Sequence, residues 1–261
     1  MKKNYHTHNK LCGHAFGEME EYVTEAVRKG LVTLGMSDHT PYPGDAFDER
    51  MHFEKFQSYV ERGIELKEKY KDKINILLGV EAEYYPGYAK YYESLLGKYK
   101  LDYLILGQHF FQANEWKLVN CFVNVSSSEE YVKYANSCVE AMSTGYYSYL
   151  AHPDLIFRND VRPDDNTRRA MDIIVDAAVK NDYILELNAN GYRKGIKVLP
   201  EGERYEYPYS DFWDLVKEAK VRTIIGSDCH RPEFVCDEYT DMAEAFAKEK
   251  ELVLIEGLDI G

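Results

Sequence analysis

Seven short runs of β-prone residues recur along the chain, and each is followed by a segment long enough to form a helix. The runs cover residues 5–8, 31–36, 74–80, 103–106, 147–151, 183–187 and 221–225. Neighbouring parallel strands need a crossover of about a dozen residues or more, so repeated strand–helix units predict a parallel sheet. Seven nearly equal units favour a distorted (β/α)7 barrel over an open sheet, which places the chain in the α/β class.

The spacing of apolar residues supports helices between these runs. One intervening segment carries apolar residues on a single helical face, at Met171, Ile174, Val175 and Ala178. Gly30 gives an end signal for a second helix, whose apolar residues are Tyr22, Val23, Ala26 and Val27. No low-complexity tract or shift in composition divides the chain, so we expect a single domain over residues 1–261.

Residues able to bind metal ions stand where these runs end. Functional groups in barrels of this type lie at the carboxyl ends of the strands, so these positions are expected to converge. They comprise six strand ends and one position in the first loop: His6, His8, His14, His39, Glu81, His109, His152, Asp228 and His230. His52 is the one histidine away from them, and for it we predict a surface role.

Two pairs strengthen this interpretation. His6 and His8 are two residues apart, so both face one side of a strand, and Asp228 and His230 are related in the same way. Closing the barrel makes the first and last strands neighbours, which brings the two pairs together. A lone HxH motif is weak evidence for a metal site, but the other strand ends disfavour unrelated structural histidines.

The ligand types and their number indicate which metals to expect. Imidazole and carboxylate groups suit Zn²⁺, Mn²⁺ or Fe²⁺ better than an ion that prefers oxygen ligands alone. Seven histidines and two acids exceed the needs of one four-coordinate ion, so we expect two or three divalent ions. Their charge would attract phosphate to a protein whose formal net charge is −13.

Composition excludes several other classes of protein. The acidic balance argues against nucleic-acid binding through a basic surface. No apolar run approaches the roughly 18–20 residues that a membrane-spanning helix needs. The five cysteines form no CxxC motif, and their odd number favours reduced thiols, so we expect a cytoplasmic protein with neither a membrane nor a nucleic acid as partner.

Seven segments stand where the seven runs end: HTHNKLCGHA, SDHTP, GVEAEY, GQHFF, AHPDL, ELNANGYRKG and GSDCHRPE. Together they resemble the PHP (polymerase and histidinol phosphatase) superfamily, and the chain length is most similar to that of its monofunctional histidinol-phosphatases. The resemblance runs from about residue 6 to about residue 232. It departs from the family pattern after the sixth run, where N-T-x-G is more usual and Asn188-Ala189-Asn190-Gly191 stands here.

The resemblance implies a distorted (β/α)7 barrel with a trinuclear metal centre. Carried over by motif, the three sets of ligands would be His6, His8, Glu81 and Asp228; then His14, His39 and His230; then Glu81, His109 and His152, with Glu81 bridging. Glu81 and Asp228 would thereby serve catalysis.

The resemblance also implies that arginines near the site contact the substrate's phosphate. Arg158 follows AHPDL and Arg193 follows ELNANG, and their forked donors match phosphate geometry. Asp38 precedes a ligand and could either orient it or carry a proton during catalysis, and its position leaves both roles open.

The expected function is hydrolysis of a small-molecule phosphate monoester by a metal-bound hydroxide. Coordination lowers the pKa of water from about 15.7 to near 7, which supplies a nucleophile at neutral pH. By resemblance the substrate is L-histidinol phosphate, and the reaction belongs to histidine biosynthesis.

Three alternatives stay open. One is a PHP phosphoesterase acting on nucleotides or another small phosphomonoester, and a second is a non-catalytic metal-binding domain. The third is a metal-dependent amidohydrolase, which would usually carry a bridging lysine on a middle strand where this chain has Glu81 and His109.

We expect Glu81→Ala and Asp228→Ala each to abolish metal loading and turnover together, because each removes a charged ligand of the expected metal ions. Elemental analysis of the purified variants and a phosphate-release assay measure the two losses. Full activity in either variant would contradict the assignment.

Overall fold

The computed structural model describes residues 1–47 and 49–260, and these form twelve strands and eight α-helices. The strands are β1 (Lys3–Asn4), β2 (Thr33–Met36), β3 (Asn75–Ala82), β4 (Tyr103–Leu106), β5 (Phe110–Asn114), β6 (Lys117–Asn120), β7 (Tyr149–Leu150), β8 (Leu185–Asn188), β9 (Ile196–Leu199), β10 (Gly202–Tyr205), β11 (Arg222–Gly226) and β12 (Val253–Leu254). The helices are α1 (Met19–Arg28), α2 (Phe56–Tyr70), α3 (Ala89–Gly97), α4 (Ser128–Met142), α5 (Asp165–Lys180), α6 (Asn190–Lys194), α7 (Ser210–Glu218) and α8 (Glu238–Glu249).

Eight of these strands form one parallel sheet in the order β1-β2-β3-β4-β7-β8-β11-β12. Its curled parallel arrangement, with helices in the crossovers, confirms the predicted α/β barrel class. The two predicted helices are confirmed as α1 and α5, and the apolar face of α5 is buried. Gly30 follows α1 with φ +74°, in the left-handed region that glycine enters without steric cost.

The structure differs from the sequence prediction in three details. The first strand is Lys3–Asn4, so the predicted run at residues 5–8 lies just beyond it. An eighth strand, β12, pairs with β11 and escaped prediction because it is two residues long and exposed. Two antiparallel hairpins, β5–β6 and β9–β10, are inserted in the connections between sheet strands.

The segments that follow β1 and β11 close the sheet at its carboxyl edge. Thr7 forms a parallel bridge with Cys229, and the His8 amide donates a 3.0 Å hydrogen bond to the Cys229 carbonyl oxygen. A similar parallel bridge joins His39 to Glu81. The backbone therefore continues to pair beyond the strands, and this brings residues from both ends of the chain to one place.

Alternate residues of the strands contact two separate apolar clusters. One side packs against the helices, whereas the other forms a small interior cluster of Tyr5, Tyr103, Ile105, Tyr149, Ala151, Ile184 and Ile224. The buried Tyr103 hydroxyl donates a 2.6 Å hydrogen bond to the Tyr5 carbonyl oxygen and ties β4 to the end of β1. Gly35 leaves room for it, because a Cβ at that position would lie 2.1 Å from this hydroxyl.

Two further expectations can be compared with the described part of the chain. Each of the five cysteines there is a free thiol, as the odd count and the missing CxxC motif predict. None of the described helices combines the length and the apolar character that crossing a membrane requires.

We expect Tyr103→Phe to lower the free energy of unfolding by about 1 kcal/mol, because it removes one buried hydrogen bond while keeping the ring. Urea unfolding measures the change. Tyr146→Phe is the matched control, since its hydroxyl makes only a long, exposed contact with Glu93. Equal stability of the two variants would show that the Tyr103 bond does not support the barrel interior.

Candidate metal centre

The structure brings all nine predicted ligand residues together at the carboxyl edge of the sheet. Strand ends or the turns after them position eight, and the ninth, His14, stands in the first loop. Close contacts between their side chains connect all nine: His6, His8, His14, His39, Glu81, His109, His152, Asp228 and His230. His52 lies apart beside Asp45 with 72% of its side chain exposed, which confirms the predicted surface position.

The buried Glu81 carboxylate is the centre of the cluster, and each of its oxygens faces a different group of histidines. Oε2 lies 3.1 Å from His39 Nδ1, and it lies 3.4 and 3.6 Å from the Nε2 atoms of His6 and His8. Oε1 lies 2.8 Å from His152 Nε2 and 3.5 Å from His109 Nε2. This division suits a carboxylate that bridges two ions.

Asp228 completes the other side of the cluster. Its Oδ1 lies 3.0 Å from His8 Nε2, and its Oδ2 accepts hydrogen bonds from the side-chain amides of Asn188 (3.3 Å) and Asn190 (3.2 Å). One oxygen is therefore held by amides while the other faces the histidines. Further out, the Nε2 atoms of His14 and His230 approach to 3.0 Å.

Two ligand residues adopt left-handed backbone conformations. His152 has φ +31° and Asp228 has φ +46°, and each stands directly after or close to the end of a sheet strand. Such a conformation costs a residue other than glycine about 1–3 kcal/mol, so the surrounding structure must impose it. The turns direct His152 toward Glu81 and Asp228 toward His8.

The arrangement fits bound cations. Several buried atoms of the cluster make no well-aligned hydrogen bond among residues 1–47 and 49–260, although some lie close to one another: Nε2 of His6 and His8, Nδ1 of His39 and His152, and Oε2 of Glu81. Buried polar atoms rarely stay unsatisfied, and facing lone pairs are what a metal ion accepts.

In the part of the chain that the structure describes, five sets of three possible ligand atoms lie within 4.8 Å of one another. They are His6–His8–Glu81, His39–Glu81–His109, His8–His39–His230, His6–His152–Asp228 and His8–Cys12–Asp38. The first contains three of the four ligands that the resemblance gives to one ion. In the second, the residue beside Glu81 and His109 is His39, whereas the resemblance places His152 there.

Electrostatics keep the carboxylates charged. Burial disfavours ionisation of Glu81 and Asp228, but the facing histidines outweigh it, so the pKa of each carboxyl group lies well below its usual value. Burial and the charge of His8 hold the pKa of His39 and of His230 well below the usual value, so these rings are neutral and offer lone pairs. Burial also opposes the charge of His8, yet its carboxylate partners raise the pKa to about 9, and a metal would take the place of that proton.

Three further carboxylates hold the outer nitrogens of the histidines. Glu186 Oε1 lies 2.8 Å from His6 Nδ1, and Glu83 Oε1 lies 2.9 Å from His109 Nδ1. Asp38 Oδ1 lies 3.3 Å from His8 Nδ1. Such partners fix the ring orientation and direct Nε2 toward the site.

Sequence reasoning did not identify the role of Glu83. It stands two residues after Glu81, so the alternation of side chains along a strand was the signal that could have found it. Glu186 lies two residues before Asn188 on β8, and its contact with His6 gives it a similar role.

Two glycines leave space for these buried carboxylates. A Cβ at Gly107, just after β4, would lie 2.0 Å from Glu81 Oε1. A Cβ at Gly226, the last residue of β11, would lie 1.7 Å from Glu186 Oε1. Any larger residue at either position would displace the acid.

A cavity of about 470 Å³ opens beside the cluster. His39, His109, His152, Asp228 and His230 lie on one side of it. Its other lining residues include Arg50, Arg193, Arg231, Asn120, Asn190 and four phenylalanines, Phe16, Phe110, Phe122 and Phe234. A concave site of this size with a few convergent polar groups is typical of small-molecule binding.

The two predicted phosphate-binding arginines occupy different environments. Arg193 lines the cavity, but its guanidinium donates to the Asp237 carboxylate and to the carbonyl oxygens of Ser227 and Phe234. Arg158 is not among the described residues that line the cavity. It pairs with Glu206 and stacks 4.7 Å from the ring centre of Phe122.

Comparisons with known proteins agree with this geometry. A family model described as "PHP domain" matches residues 4–190. A probable histidinol-phosphatase of Deinococcus radiodurans is 30% identical over 248 residues, covering 90% of this chain and 89% of the relative. One of Schizosaccharomyces pombe is 28% identical over 253 residues, covering 87% and 80% respectively.

The fold also resembles a solved structure. Histidinol phosphate phosphatase from Lactococcus lactis, in complex with zinc, L-histidinol and phosphate, superimposes with a TM-score of 0.71 at 19% identity. The match covers 97% of this chain and 95% of that one. At this identity the likeness supports the fold.

We expect Gly107→Ala to lower metal content while the protein stays folded, because the added methyl group displaces Glu81 from the centre of the cluster. A loss of about 10- to 100-fold in metal affinity is the expected size for a change that misplaces a ligand. Chelator competition measures it. Gly97→Ala is the matched control, since a Cβ there meets no described atom within 4 Å. Unchanged affinity in Gly107→Ala would refute the steric role.

Proposed function

The chain belongs to the PHP domain family, and we propose that it is a histidinol-phosphatase. As a phosphoric monoester hydrolase it converts L-histidinol phosphate to L-histidinol and phosphate, a step of histidine biosynthesis. The observation that carries the proposal is the cluster of nine ligand residues, seven of them buried, at the wall of a cavity large enough for such a substrate. The relatives named as histidinol-phosphatases support the same substrate.

We propose two or three divalent ions, zinc, manganese or iron, as cofactors. Glu81 would be shared between two of them through its two oxygens, with the facing histidines and Asp228 as the other ligands. Bound ions would lower the pKa of a coordinated water toward about 7 and neutralise charge on the phosphoryl oxygens. The zinc in the similar Lactococcus lactis structure supports this choice of metals.

Neighbouring acidic residues fix the orientation of the histidine rings in this site. Asp38, Glu83 and Glu186 each contact the Nδ1 atom of one histidine, which fixes that ring with its Nε2 directed inward. We therefore propose that Asp38 acts by orienting His8, since it is fully buried behind that ring and is not among the described residues of the cavity wall.

The cavity also has groups that suit the organic part of the substrate. Phenylalanines at its wall offer flat apolar surfaces for the imidazole ring, and Glu49 offers an acceptor for the ammonium group. Arg193 would contribute positive charge toward the phosphate with the one N–H that its partners leave. Arg158 would support the Phe122 ring from behind and leave phosphate contact to other residues.

The proposed domain extends over residues 1–261, beyond the stretch that the family model matches, because Asp228 and His230 complete the cluster. We propose a small phosphate monoester as the partner, with no nucleic acid or membrane. A cytoplasmic location agrees with the free thiols.

We expect phosphate release to be fastest with histidinol phosphate in a panel that also contains nucleotides and p-nitrophenyl phosphate. Activity should require Mn²⁺ or Zn²⁺ and disappear with a chelator, because the unsatisfied ligand atoms have no other cation. His39→Ala should lose activity, whereas the control His52→Ala should retain it, since His52 is exposed and outside the cluster.

Other outcomes of this panel select the alternatives. Faster turnover of nucleotides would indicate a phosphoesterase with a different substrate. No release from any ester by the metal-loaded protein would favour a metal-binding domain without catalysis.

A further inference from the structure

Arg50 lines the cavity, yet only 4% of its side chain is exposed. Its Nη2 pairs with Oε1 of Glu83. Neither Nε nor Nη1 of Arg50 has a hydrogen-bond partner within residues 1–47 and 49–260. A buried donor without a partner destabilises a folded protein, so two of them on one charged group point to a ligand that accepts them.

The surroundings hold this guanidinium in place. Its central carbon lies 5.9 Å from the ring centre of Phe47 and 5.8 Å from that of Phe110, distances at which a cation is attracted to an aromatic face. Phe47 is itself stacked on Tyr85, with ring centres 4.9 Å apart. The arginine therefore packs against two rings that also contact each other, which limits its movement.

A continuous chain of contacts also connects Arg50 to the metal centre. Glu83, which pairs with Arg50, lies 2.9 Å from Nδ1 of His109, and His109 Nε2 lies 3.5 Å from Glu81. His39 and His109 line the same cavity as Arg50. The guanidinium is thus positioned relative to the ligands on one side of the cluster.

The other arginines near the cavity differ from Arg50. Arg193 is held by Asp237 and two backbone carbonyls, and Arg158 is paired with Glu206. Arg231 lies at the rim, where its side chain is 46% exposed and stacks 4.1 Å from the ring centre of Phe16. Arg50 combines burial, a fixed position and two unpaired donors.

We propose that the guanidinium of Arg50 contacts the substrate's phosphoryl group while that group lies against the His39 and His109 side of the metal centre. The inference rests on the proposed phosphatase function and adds a phosphate-binding residue that the sequence motifs do not contain. A guanidinium donates charge-assisted hydrogen bonds to phosphate oxygens, and a buried site strengthens such bonds. Glu83 then acts as a positioning residue for both Arg50 and His109.

The test compares Arg50→Met, which removes the charge, with Arg50→Lys, which retains it without the fork. We expect the inhibition constant for inorganic phosphate and the KM for histidinol phosphate to rise about 10- to 100-fold in Arg50→Met, the loss expected for hydrogen bonds to a charged group. Arg50→Lys should fall between it and wild type. Inhibition by L-histidinol, which has no phosphate, should stay within about twofold if only phosphate contact is lost.

Arg168→Met is the matched control, because it removes the same charge from an exposed pair with Asp172. Metal content is measured in every variant, and inorganic phosphate binding to the Mn²⁺-loaded protein is also measured by calorimetry.

Wild-type phosphate affinity in metal-loaded Arg50→Met would overturn the proposal. So would equal weakening of phosphate and L-histidinol, which would indicate a structural role. If Arg50→Met does not fold, wild-type phosphate affinity in Arg50→Lys overturns it equally.

The two proposals can fail separately. Absence of ester hydrolysis by the wild-type protein would remove the proposed function, yet phosphate binding by calorimetry would still decide the role of Arg50. Normal hydrolysis by wild type with unchanged phosphate binding in both variants would remove only the role of Arg50.

Discussion

The rest of the structure depends on a single buried carboxylate, Glu81, placed among five histidines. Burying a charge is unfavourable unless it is paired, and here the surrounding rings supply the pairing until metal ions take over. The five histidines come from the ends of four different strands, or the turns after them. Glu81 is paired only when each of these strand ends is in place. The pairing of this one group therefore depends on the closed barrel and also favours it.

Space and orientation around Glu81 are supplied by residues with no metal-binding chemistry of their own. Gly107 and Gly226 leave room for two buried acids, and the second of these acids, Glu186, holds His6. Asn188 and Asn190 fix one oxygen of Asp228. These contacts make the ligand positions rigid before a metal binds, which reduces the ordering that binding would otherwise require.

Metal binding and substrate recognition are proposed for residues on different parts of the backbone. Eight of the nine proposed metal ligands stand at strand ends or in the turns after them, where hydrogen bonding between neighbouring strands fixes the backbone. The groups proposed to recognise the substrate, such as Arg50 and Phe122, stand on connections between elements. A rigid scaffold with variable connections allows one metal centre to serve different phosphate esters, and substrate choice in this chain then depends on those connections.

The sequence by itself determined the parallel α/β architecture and all nine residues of the cluster, because both depend on short-range patterns. Strand–helix alternation sets the fold, and i, i+2 spacing at strand ends sets which side chains share a face. Tertiary structure alone decided how the arginines are used: Asp237 and Glu206 engage Arg193 and Arg158, whereas Arg50 retains two donors. These two pairs and the pair of Arg50 with Glu83 each join residues at least 33 positions apart, and no local periodicity encodes such contacts. They exist only once the barrel has closed, since packing then determines which acid each arginine reaches.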